Sequence, residues 1–416
     1  MKMKKPGMVT QIMIAVVLGL IFGLLLGDFS RSLKVVGDIF LRLIQMSIPL
    51  LVFGQIIEAV ARLNPKEVSG LGTKTIIIFA VSSVLAAFWG IFMAMVFVPG
   101  SGVNIEGLNT GVSVPEQSIS IQDTLLGFFP SNIMGALSEG SIIQIIVFAV
   151  IFGMAFSLYR TTNPDSKMFP LLVEFNDIII KLITLVMFIA PIGIFALIAS
   201  LIGQLGISVV IPLLKYLAVY GLATFTFLAI WIIVVSVRGN LSPLRLVKNM
   251  VPMSIMALAT TSSAITLPLA MEDTHNRLGL GYRITKLVLP LGMSLNSNGS
   301  AMHMAITVMT IAQLYGIQYG VDRILYIGVI SALVSLANAV VPGAGLVSLA
   351  IIVPQMGLPL ESIALFAGVE WFVGMLRTIL NVNSDVYTAI LVAKGADEID
   401  YDAFYGRGTK RNGKDS

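Results

Sequence analysis

Five residues near the C-terminal end of the chain carry groups that could bind a charged ligand. They are Glu370, Gly374, Arg377, Asn381 and Asp385, with successive spacings of 4, 3, 4 and 4 residues. This spacing places all five on one face of a helix. The guanidinium of Arg377 is suited to holding a carboxylate through two parallel hydrogen bonds, and Asp385 could ligate a cation. The alternative is a buried structural ion pair between Arg377 and either Glu370 or Asp385.

Polar interruptions within apolar stretches offer further ligands. They are TTSS at 260–263, NSNGS at 296–300 and VVPGAG at 340–345. The hydroxyls and backbone N–H groups of Ser262 and Ser263 suit a carboxylate, and unwound carbonyls in NSNGS suit a hard cation. Taken alone, the serine pair is more often a turn, NSNGS is a plausible kink, and VVPGAG could be a plain loop. His303 is the only histidine at membrane depth; we expect it to be buried and hydrogen-bonded, with a proton carrier as the alternative.

The composition indicates the class of protein that positions these groups. Of 416 residues, 56% are hydrophobic and 12% are charged, whereas soluble domains carry about 25% charged residues. This composition excludes a soluble, disordered or collagen-like protein. A nucleic-acid-binding protein is excluded as well, because the lysines and arginines behind the net charge of +4 lie between apolar runs and form no basic patch. The sequence has no cysteine, which excludes disulfides and thiolate metal sites. The chain is predicted to be a polytopic membrane protein.

Apolar stretches of about 20 residues predict the membrane spans. They lie at about 10–27, 36–61, 74–98, 140–158, 175–202 and 209–237. The second half of the chain differs, because 242–275, 281–313 and 326–365 contain the polar interruptions and 366–394 contains the charged face. Interrupted apolar segments point to a transporter binding site, because backbone groups freed at membrane depth must line a cavity.

The positions of lysine and arginine predict the orientation. Basic residues precede the first span and follow the second, fourth and sixth, while 100–139 has none, so both termini are expected in the cytoplasm. The first run lacks a cleavage site, which predicts a retained span. Segment 242–275 has basic residues at both ends, which predicts a re-entrant hairpin, and 326–365 would be its mirror image from outside. Residues 396–416 are expected to form a disordered cytoplasmic tail.

Several motifs, in this order, resemble those of the dicarboxylate/amino acid:cation symporters, the glutamate transporter family. They are PSNIMGAL (130–137), PIGIFALIA (191–199), TTSSAITLP (260–268), LPLGMSLNSNGS (289–300), VPGAG (341–345) and VEWFVGMLRTILNVNSD (369–385). The resemblance implies an all-α fold of eight transmembrane helices and two re-entrant helical hairpins, with inverted repeats and an elevator-type movement. It also implies a homotrimer in a prokaryotic plasma membrane that co-transports sodium or protons with an anionic substrate.

The same resemblance implies a division into a scaffold and a transport domain. The expected parts are 1–70 (scaffold and trimerisation, spans 1 and 2), 71–100 (transport domain, span 3), 101–174 (scaffold, span 4), 175–207 (scaffold, span 5), 208–240 (transport domain, span 6), 241–395 (transport domain, with hairpin 1, span 7, hairpin 2 and span 8) and 396–416 (tail).

Residues of the binding sites are also implied by the resemblance. The substrate site would comprise Arg377, Asn381, Thr378, Ser262, Ser263, Ser300, Val341, Gly345 and Gly374. Arg377 looks like the arginine that binds the substrate's side-chain carboxylate. One sodium site would comprise Gly292, Asn296, Asn381 and Asp385, and a second would comprise Ser294 with the backbone carbonyls of Ser335, Leu336 and Asn338.

Two departures from the family pattern bear on substrate and ion. Gly374 stands where amino-acid carriers place an aspartate that pairs with the substrate ammonium, and C4-dicarboxylate carriers also lack that aspartate. Asn298 stands where the family has an aspartate of a third sodium site, so we expect sodium at one or two sites, with protons as an additional or alternative coupling ion.

Three hypotheses follow. The first is a symporter for a C4-dicarboxylate such as succinate, malate or fumarate, coupled to Na⁺, H⁺ or both. The second is an acidic amino-acid symporter in which Glu370 receives the ammonium group. The third is an anion channel or a non-transporting subunit with the same fold. An enzyme is not expected, because no nucleophile–base pair or metal cluster appears; no organic cofactor and no nucleic-acid partner are expected, and the contacts would be a small anion and membrane lipid.

Overall fold

A computed structural model describes residues 8–62, 68–101, 126–206, 210–336 and 344–407. Within these ranges every regular element is a helix, and an isolated β-bridge joins Leu280 to Ile399. A helix satisfies its backbone groups within one segment, which a chain of this apolarity requires in lipid. The all-α prediction is therefore confirmed.

Long apolar helices make up the first half of the chain. They are α1 (Met8–Leu26), α2 (Lys34–Gln45), α3 (Ile48–Ala61), α4 (Thr73–Phe97), α5 (Ile133–Glu139), α6 (Ile142–Thr162), α7 (Met168–Phe188), α8 (Ala190–Leu205) and α9 (Val210–Gly239). Stretches long and apolar enough to cross a membrane are Phe29–Ala61, Gly70–Phe97, Ile142–Thr162 and Val210–Gly239. Large apolar side chains remain exposed on them, such as Val237 at 71%, which suits contact with lipid.

Two predicted spans are each formed by two helices. The span predicted at 36–61 consists of α2 and α3, and Pro49 is the second residue of α3. The span predicted at 175–202 consists of α7 and α8, which meet at a bend of 52°, with Pro191 in the first turn of α8. Proline lacks a backbone N–H and clashes with the preceding turn, which accounts for the bend at Pro191 and for the start of a new helix at Ile48.

Shorter and interrupted helices make up the second half. They are α10 (Pro243–Thr260), α11 (Ser263–Asn276), α12 (Tyr282–Leu295), α13 (Asn298–Leu314), α14 (Val321–Ser335), α15 (Ala344–Gln355), α16 (Ile363–Ala367), α17 (Glu370–Gly395) and α18 (Tyr401–Tyr405). The predicted interruptions at 260–263 and 296–300 are confirmed as helix breaks. The segment predicted at 366–394 has a further bend of 86° before α17.

The first predicted hairpin consists of α10 and α11. At its tip Thr261 adopts a left-handed conformation with φ of 51°, and the side chain of Ser262 caps α11 by accepting a hydrogen bond from the N–H of Ile265. At its base the amide of Asn249 donates to the carbonyl oxygen of Arg277 over 2.7 Å. The two ends of the segment therefore lie together, as a hairpin requires.

The second predicted hairpin consists of α14 and α15. The hydroxyl of Tyr319, before α14, donates to the carbonyl oxygen of Met356, after α15, over 3.4 Å. This contact brings the two ends of the segment together. The predicted tip, with Asn338 and Val341, lies outside the described residues.

The chain remains structured after α17, contrary to the expectation of a disordered tail from residue 396. Arg245 donates through Nη2 to the carbonyl oxygen of Tyr405 over 3.0 Å, and Asn249 donates to that of Phe404 over 3.1 Å. The side chain of Phe404 is fully buried. Phe404, with Ile399, Tyr401 and Tyr405 packed against the same core, provides the apolar area that holds residues 396–407 against the base of the first hairpin.

Candidate functional site: a buried anion and cation site

Helix α17 places the predicted chemical groups in the interior. Glu370, Gly374, Arg377, Asn381 and Asp385 are all buried, although four of them are polar or charged. The helix packs against α9, α10, α12 and α13, so its polar face is surrounded by protein. Buried charges at membrane depth are costly and usually functional. The prediction that these five residues share one face fits this arrangement.

Arg377 and Glu370 form an ion pair inside the protein. Nη2 of Arg377 lies 3.0 Å from Oε1 of Glu370, and the two side chains are 8% and 11% exposed. The same Oε1 accepts a hydrogen bond from the backbone N–H of Gly345 over 3.1 Å. Glu370 therefore bridges Arg377 and the N-terminus of α15, where the helix dipole favours a negative charge. The ion pair that the sequence left as an alternative is present.

Several polar atoms beside this pair have no protein partner within the described ranges. They are Nη1 of Arg377, Oε2 of Glu370 and Oγ of Ser300. Buried polar groups are normally hydrogen-bonded, so a group of unpartnered atoms marks a place for a ligand or water. Arg377, Gly345 and Ser300 were all predicted to bind substrate.

Two glycines leave space around Arg377. A Cβ at Gly345 would collide with Arg377 and with both carboxylate oxygens of Glu370, so no larger residue fits there. A Cβ at Gly374 would meet Nη2 of Arg377 at 3.7 Å and the Cβ of Thr261 at 3.8 Å, which are ordinary contact distances. Gly374 thus leaves open the volume in which a larger side chain would face Arg377.

Asn381 is tied to the break between α12 and α13. Its Oδ1 accepts a hydrogen bond from the backbone N–H of Gly299 over 2.7 Å. The carbonyl oxygen of Gly299 accepts a hydrogen bond from the hydroxyl of Tyr220 in α9 over 3.0 Å. These two contacts fix the first turn of α13 next to Ser300 and Arg377. Sequence reasoning missed Tyr220, which appears as one more aromatic residue in an apolar span.

Asp385 lies at the same break, with the other residues of the predicted first sodium site. Nδ2 of Asn296 donates to Oδ1 of Asp385 over 2.8 Å. A Cβ at Gly292 would overlap the carboxyl group of Asp385, so the backbone of Gly292 passes close to that carboxylate. A carboxylate beside an amide and the backbone at a helix break provides the oxygen ligands that a hard cation requires. The described residues contain no cluster of three or more His, Cys, Asp or Glu that could hold a metal ion.

The residues at the family's third sodium site, which is beyond the one or two sites expected for this chain, form a neutral hydrogen-bond network. The hydroxyl of Ser83 donates to Oδ1 of Asn298 over 2.9 Å. Ser82 lies 3.2 Å from the same oxygen and 3.2 Å from Oδ1 of Asn296. These oxygens already accept hydrogen bonds from within the protein, and the cluster carries no formal charge. Both features weaken it as a cation site.

The remaining predicted residues lie in less distinctive surroundings. The hydroxyl of Thr378 donates to the carbonyl oxygen of Gly374 over 2.8 Å, and Ser262 is engaged as the cap of α11. Ser263 follows it as the first residue of α11 and is partly exposed. In the predicted second sodium site, Ser294 donates to the carbonyl oxygen of Pro290, Ser335 to that of Ala332, and Leu336 ends α14.

His303 differs from the expectation in one respect. It is fully buried, but neither ring nitrogen has a hydrogen-bond partner among the residues that the structure describes. Its ring packs against that of Tyr220, with centroids 5.8 Å apart. The expected burial is confirmed, the expected hydrogen bond is not made within the described residues, and His303 joins Arg377, Glu370 and Ser300 as an unsatisfied polar group in this interior region.

The interrupted helices and the buried anion and cation groups agree with the comparison of the chain with known families. The model of the sodium:dicarboxylate symporter family matches residues 8–395. The chain belongs to this family. The family is one of integral membrane transporters, so the protein is a symporter and not an enzyme.

Curated members of the sodium:dicarboxylate symporter family match nearly the whole chain. A proton/glutamate-aspartate symporter of Escherichia coli (strain K12) is 32% identical over 96% of this chain and 95% of its own length. A proton/sodium-glutamate symport protein of Bacillus subtilis (strain 168) is 32% identical over 95% of this chain and 94% of its own. A C4-dicarboxylate transport protein of Bacillus subtilis (strain 168) is 28% identical over 94% of both.

Proposed function

We propose that the protein imports a C4-dicarboxylate such as succinate, malate or fumarate by symport with Na⁺, H⁺ or both. The observation that carries this choice is Gly374, which places no carboxylate on its side of Arg377, while the carboxylate of Glu370 is already held by the guanidinium and by the N–H of Gly345. An α-ammonium group bound there would be buried without a counter-charge, which costs several kcal/mol. A substrate with two carboxylates and no ammonium avoids that cost.

One substrate carboxylate would be held by Arg377, Ser300 and the N-terminus of α15 at Gly345. The unpartnered Nη1 of Arg377 and Oγ of Ser300 support this placement. The second carboxylate would lie toward Asn381, Thr378 and the serines at the tip of the first hairpin; Val341, the remaining proposed contact, lies outside the described residues. Two carboxylates opposite one arginine leave a negative charge, which requires a cation nearby.

The cation would be Na⁺ at Gly292, Asn296, Asn381 and Asp385. A second ion would lie at Ser294 and the carbonyls of Ser335, Leu336 and Asn338. The neutral network around Asn298 argues against a third sodium ion. When the cation neutralises the negative charge of the substrate before the transport domain moves, the free-energy cost of carrying that charge past an apolar scaffold is lower. We infer an elevator movement of 71–100 and 208–395 against a trimeric scaffold formed by 1–70 and 101–207, with both termini in the cytoplasm.

The second candidate is a glutamate or aspartate symporter. The higher identity to glutamate-aspartate carriers, 32% against 28%, favours it. Glu370, the candidate partner for an ammonium group, is engaged by Arg377 and Gly345, so this function requires that pair to open. A channel would conduct ions without saturable uptake, and a non-transporting subunit would show no transport at all. No contact among the described residues favours either.

Uptake by proteoliposomes tests the proposal. Labelled succinate, malate, fumarate, aspartate and glutamate would be supplied in sodium or choline medium, with and without an inward proton gradient. Saturable uptake of the dicarboxylates that depends on sodium, on the proton gradient or on both is expected. Uptake of aspartate with no uptake of succinate would replace the first candidate by the second, and conductance without saturable uptake would refute both.

A further inference from the structure

The carboxylate of Glu370 lies where the substrate carboxylate is proposed to bind. It accepts hydrogen bonds from Nη2 of Arg377 and from the N–H of Gly345 through a single oxygen, Oε1. We propose that Glu370 is an internal anion that fills this subsite in the empty transporter, and that a substrate carboxylate displaces it while Glu370 takes up one proton. This inference rests on the proposed function of carboxylate symport.

Displacement follows from the number of available donors. Arg377 presents Nη2, which is occupied by Glu370, and Nη1, which has no partner among the described residues. A carboxylate held by two parallel hydrogen bonds needs both nitrogens of one edge of the guanidinium. The N–H of Gly345 is occupied by the same glutamate oxygen. A substrate carboxylate can therefore use the full set of donors only after Glu370 has moved.

A displaced Glu370 would carry a buried charge without a counter-ion. Its side chain is 11% exposed, and Oε2 has no partner in the described part of the chain. A buried carboxylate without a cation is strongly disfavoured, and protonation removes the charge. The proton comes from the buffered medium through water that enters with the substrate, so its conjugate base stays in bulk solvent, and the proton binds to the released carboxylate. Arg377 and one substrate carboxylate then form a neutral pair and protonated Glu370 is neutral, while the second substrate carboxylate is offset by the cation of the proposed function.

Most other ionisable groups near the pair of Arg377 and Glu370 are held in contacts of their own. Helix α9 contributes Tyr216 and Tyr220, whose hydroxyls contact Thr307 and the carbonyl oxygen of Gly299. Helix α13 contributes His303, and α15 contributes no ionisable side chain. In α11, Asp273 is paired with Arg277 at the base of the hairpin. Glu361, before α16, is paired with Lys34.

His303 is the competing proton acceptor in this region. It has no hydrogen-bond partner in the described residues, but a proton on it would place a second positive charge in the electrostatic field of Arg377. Like charges disfavour that state. Protonation stabilises a displaced Glu370, because its carboxylate has lost the cation beside it. His303 has lost no cation, so protonation does not stabilise it in the same way. The geometry therefore favours Glu370.

Calorimetric titration of the purified protein with succinate, at saturating sodium and in buffers of different ionisation enthalpy, measures proton uptake. We expect about one proton per succinate bound in the unmodified protein, and a Kd that rises about tenfold per pH unit between about pH 6 and about pH 8. The sign follows because the complex holds a proton that the free protein lacks. In Glu370→Gln, proton uptake should vanish and Kd should change less than about twofold over that range. Glu361→Gln, an exposed carboxylate, is the matched control and should behave like the unmodified protein.

An infrared difference spectrum provides a second readout that does not depend on a variant. Succinate should produce a C=O stretching band of a protonated carboxyl group in the unmodified protein. Succinate binding without proton uptake and without this band would overturn the inference while leaving the proposed function intact. Retained proton uptake in Glu370→Gln, with loss in His303→Gln, would assign the proton to His303 and also overturn it. No binding of any dicarboxylate would refute the proposed function itself.

Discussion

Replacing Gly374 by aspartate should change which substrate the protein prefers. A Cβ at this position would lie 3.7 Å from Nη2 of Arg377 and 3.8 Å from the Cβ of Thr261, so the side chain fits without a collision. The new carboxylate would face the volume where the substrate's α-carbon is proposed to lie. It supplies the counter-charge that an α-ammonium group lacks in the natural sequence.

The magnitude follows from the charges involved. Two unit charges about 4 Å apart attract by about 4 kcal/mol at an effective dielectric constant of about 20. Desolvation offsets part of this, so we expect a net gain for aspartate of about 1.4 to 2.8 kcal/mol, or about tenfold to a hundredfold in Kd. Succinate should bind more weakly by a comparable factor, because the same carboxylate repels a dianion and competes for Arg377.

Binding of labelled aspartate and succinate to purified Gly374→Asp, at fixed pH and saturating sodium, measures both effects. Gly374→Asn is the matched control, because it adds a side chain of nearly the same size without a charge. We expect Gly374→Asp, and not Gly374→Asn, to bind aspartate more tightly and succinate more weakly than the natural sequence does. Equal affinities in the two variants would refute the argument that the missing carboxylate at 374 determines substrate choice.

Other consequences can be measured separately. Asp385→Asn should raise the sodium concentration needed for half-maximal uptake more than it weakens substrate affinity at saturating sodium; equal losses would contradict the assignment of Asp385 to a cation site. Arg377→Lys should abolish high-affinity binding of both substrate classes, because an ammonium cannot make two parallel hydrogen bonds to one carboxylate; unchanged succinate binding would count against the anion site. Phe404→Ala should lower the free energy of unfolding by about 3–5 kcal/mol and the melting temperature with it, because the ring is fully buried. Leu244→Ala, at a side chain that is 85% exposed, is the control, and equal melting temperatures would show that the C-terminal segment contributes little.

Much of the fold could be predicted from the sequence because a membrane imposes strict rules. Apolar runs marked the long helices, and polar interruptions marked the breaks at 260–263 and 296–300. The spacing of Glu370, Arg377 and Asp385 placed them on one buried face. Such signals depend on local periodicity, which the sequence contains in full.

Other features could not be predicted because they depend on contacts between distant segments. Pro49 and Pro191 follow long apolar runs, and hydropathy averages hid the helix break before Pro49 and the 52° bend at Pro191. Phe404 stands between Tyr401 and Tyr405 in a segment rich in charged residues, so local composition did not indicate its burial against the first hairpin. The missing partner of His303 depends on which side chains of α9 and α13 face one another.

The sequence by itself determined the membrane class, the helical breaks and a set of residues able to bind an anion and a cation. The tertiary structure decided how those residues are paired. Arg377 could have faced Glu370, seven residues before it, or Asp385, eight residues after it, and only packing against α15 and α12 separated the two. The N–H of Gly345 draws Glu370 toward Arg377, while Asn296 holds Asp385 at the other break. Pairing is a property of distances between helices, and no local pattern in the chain encodes those distances.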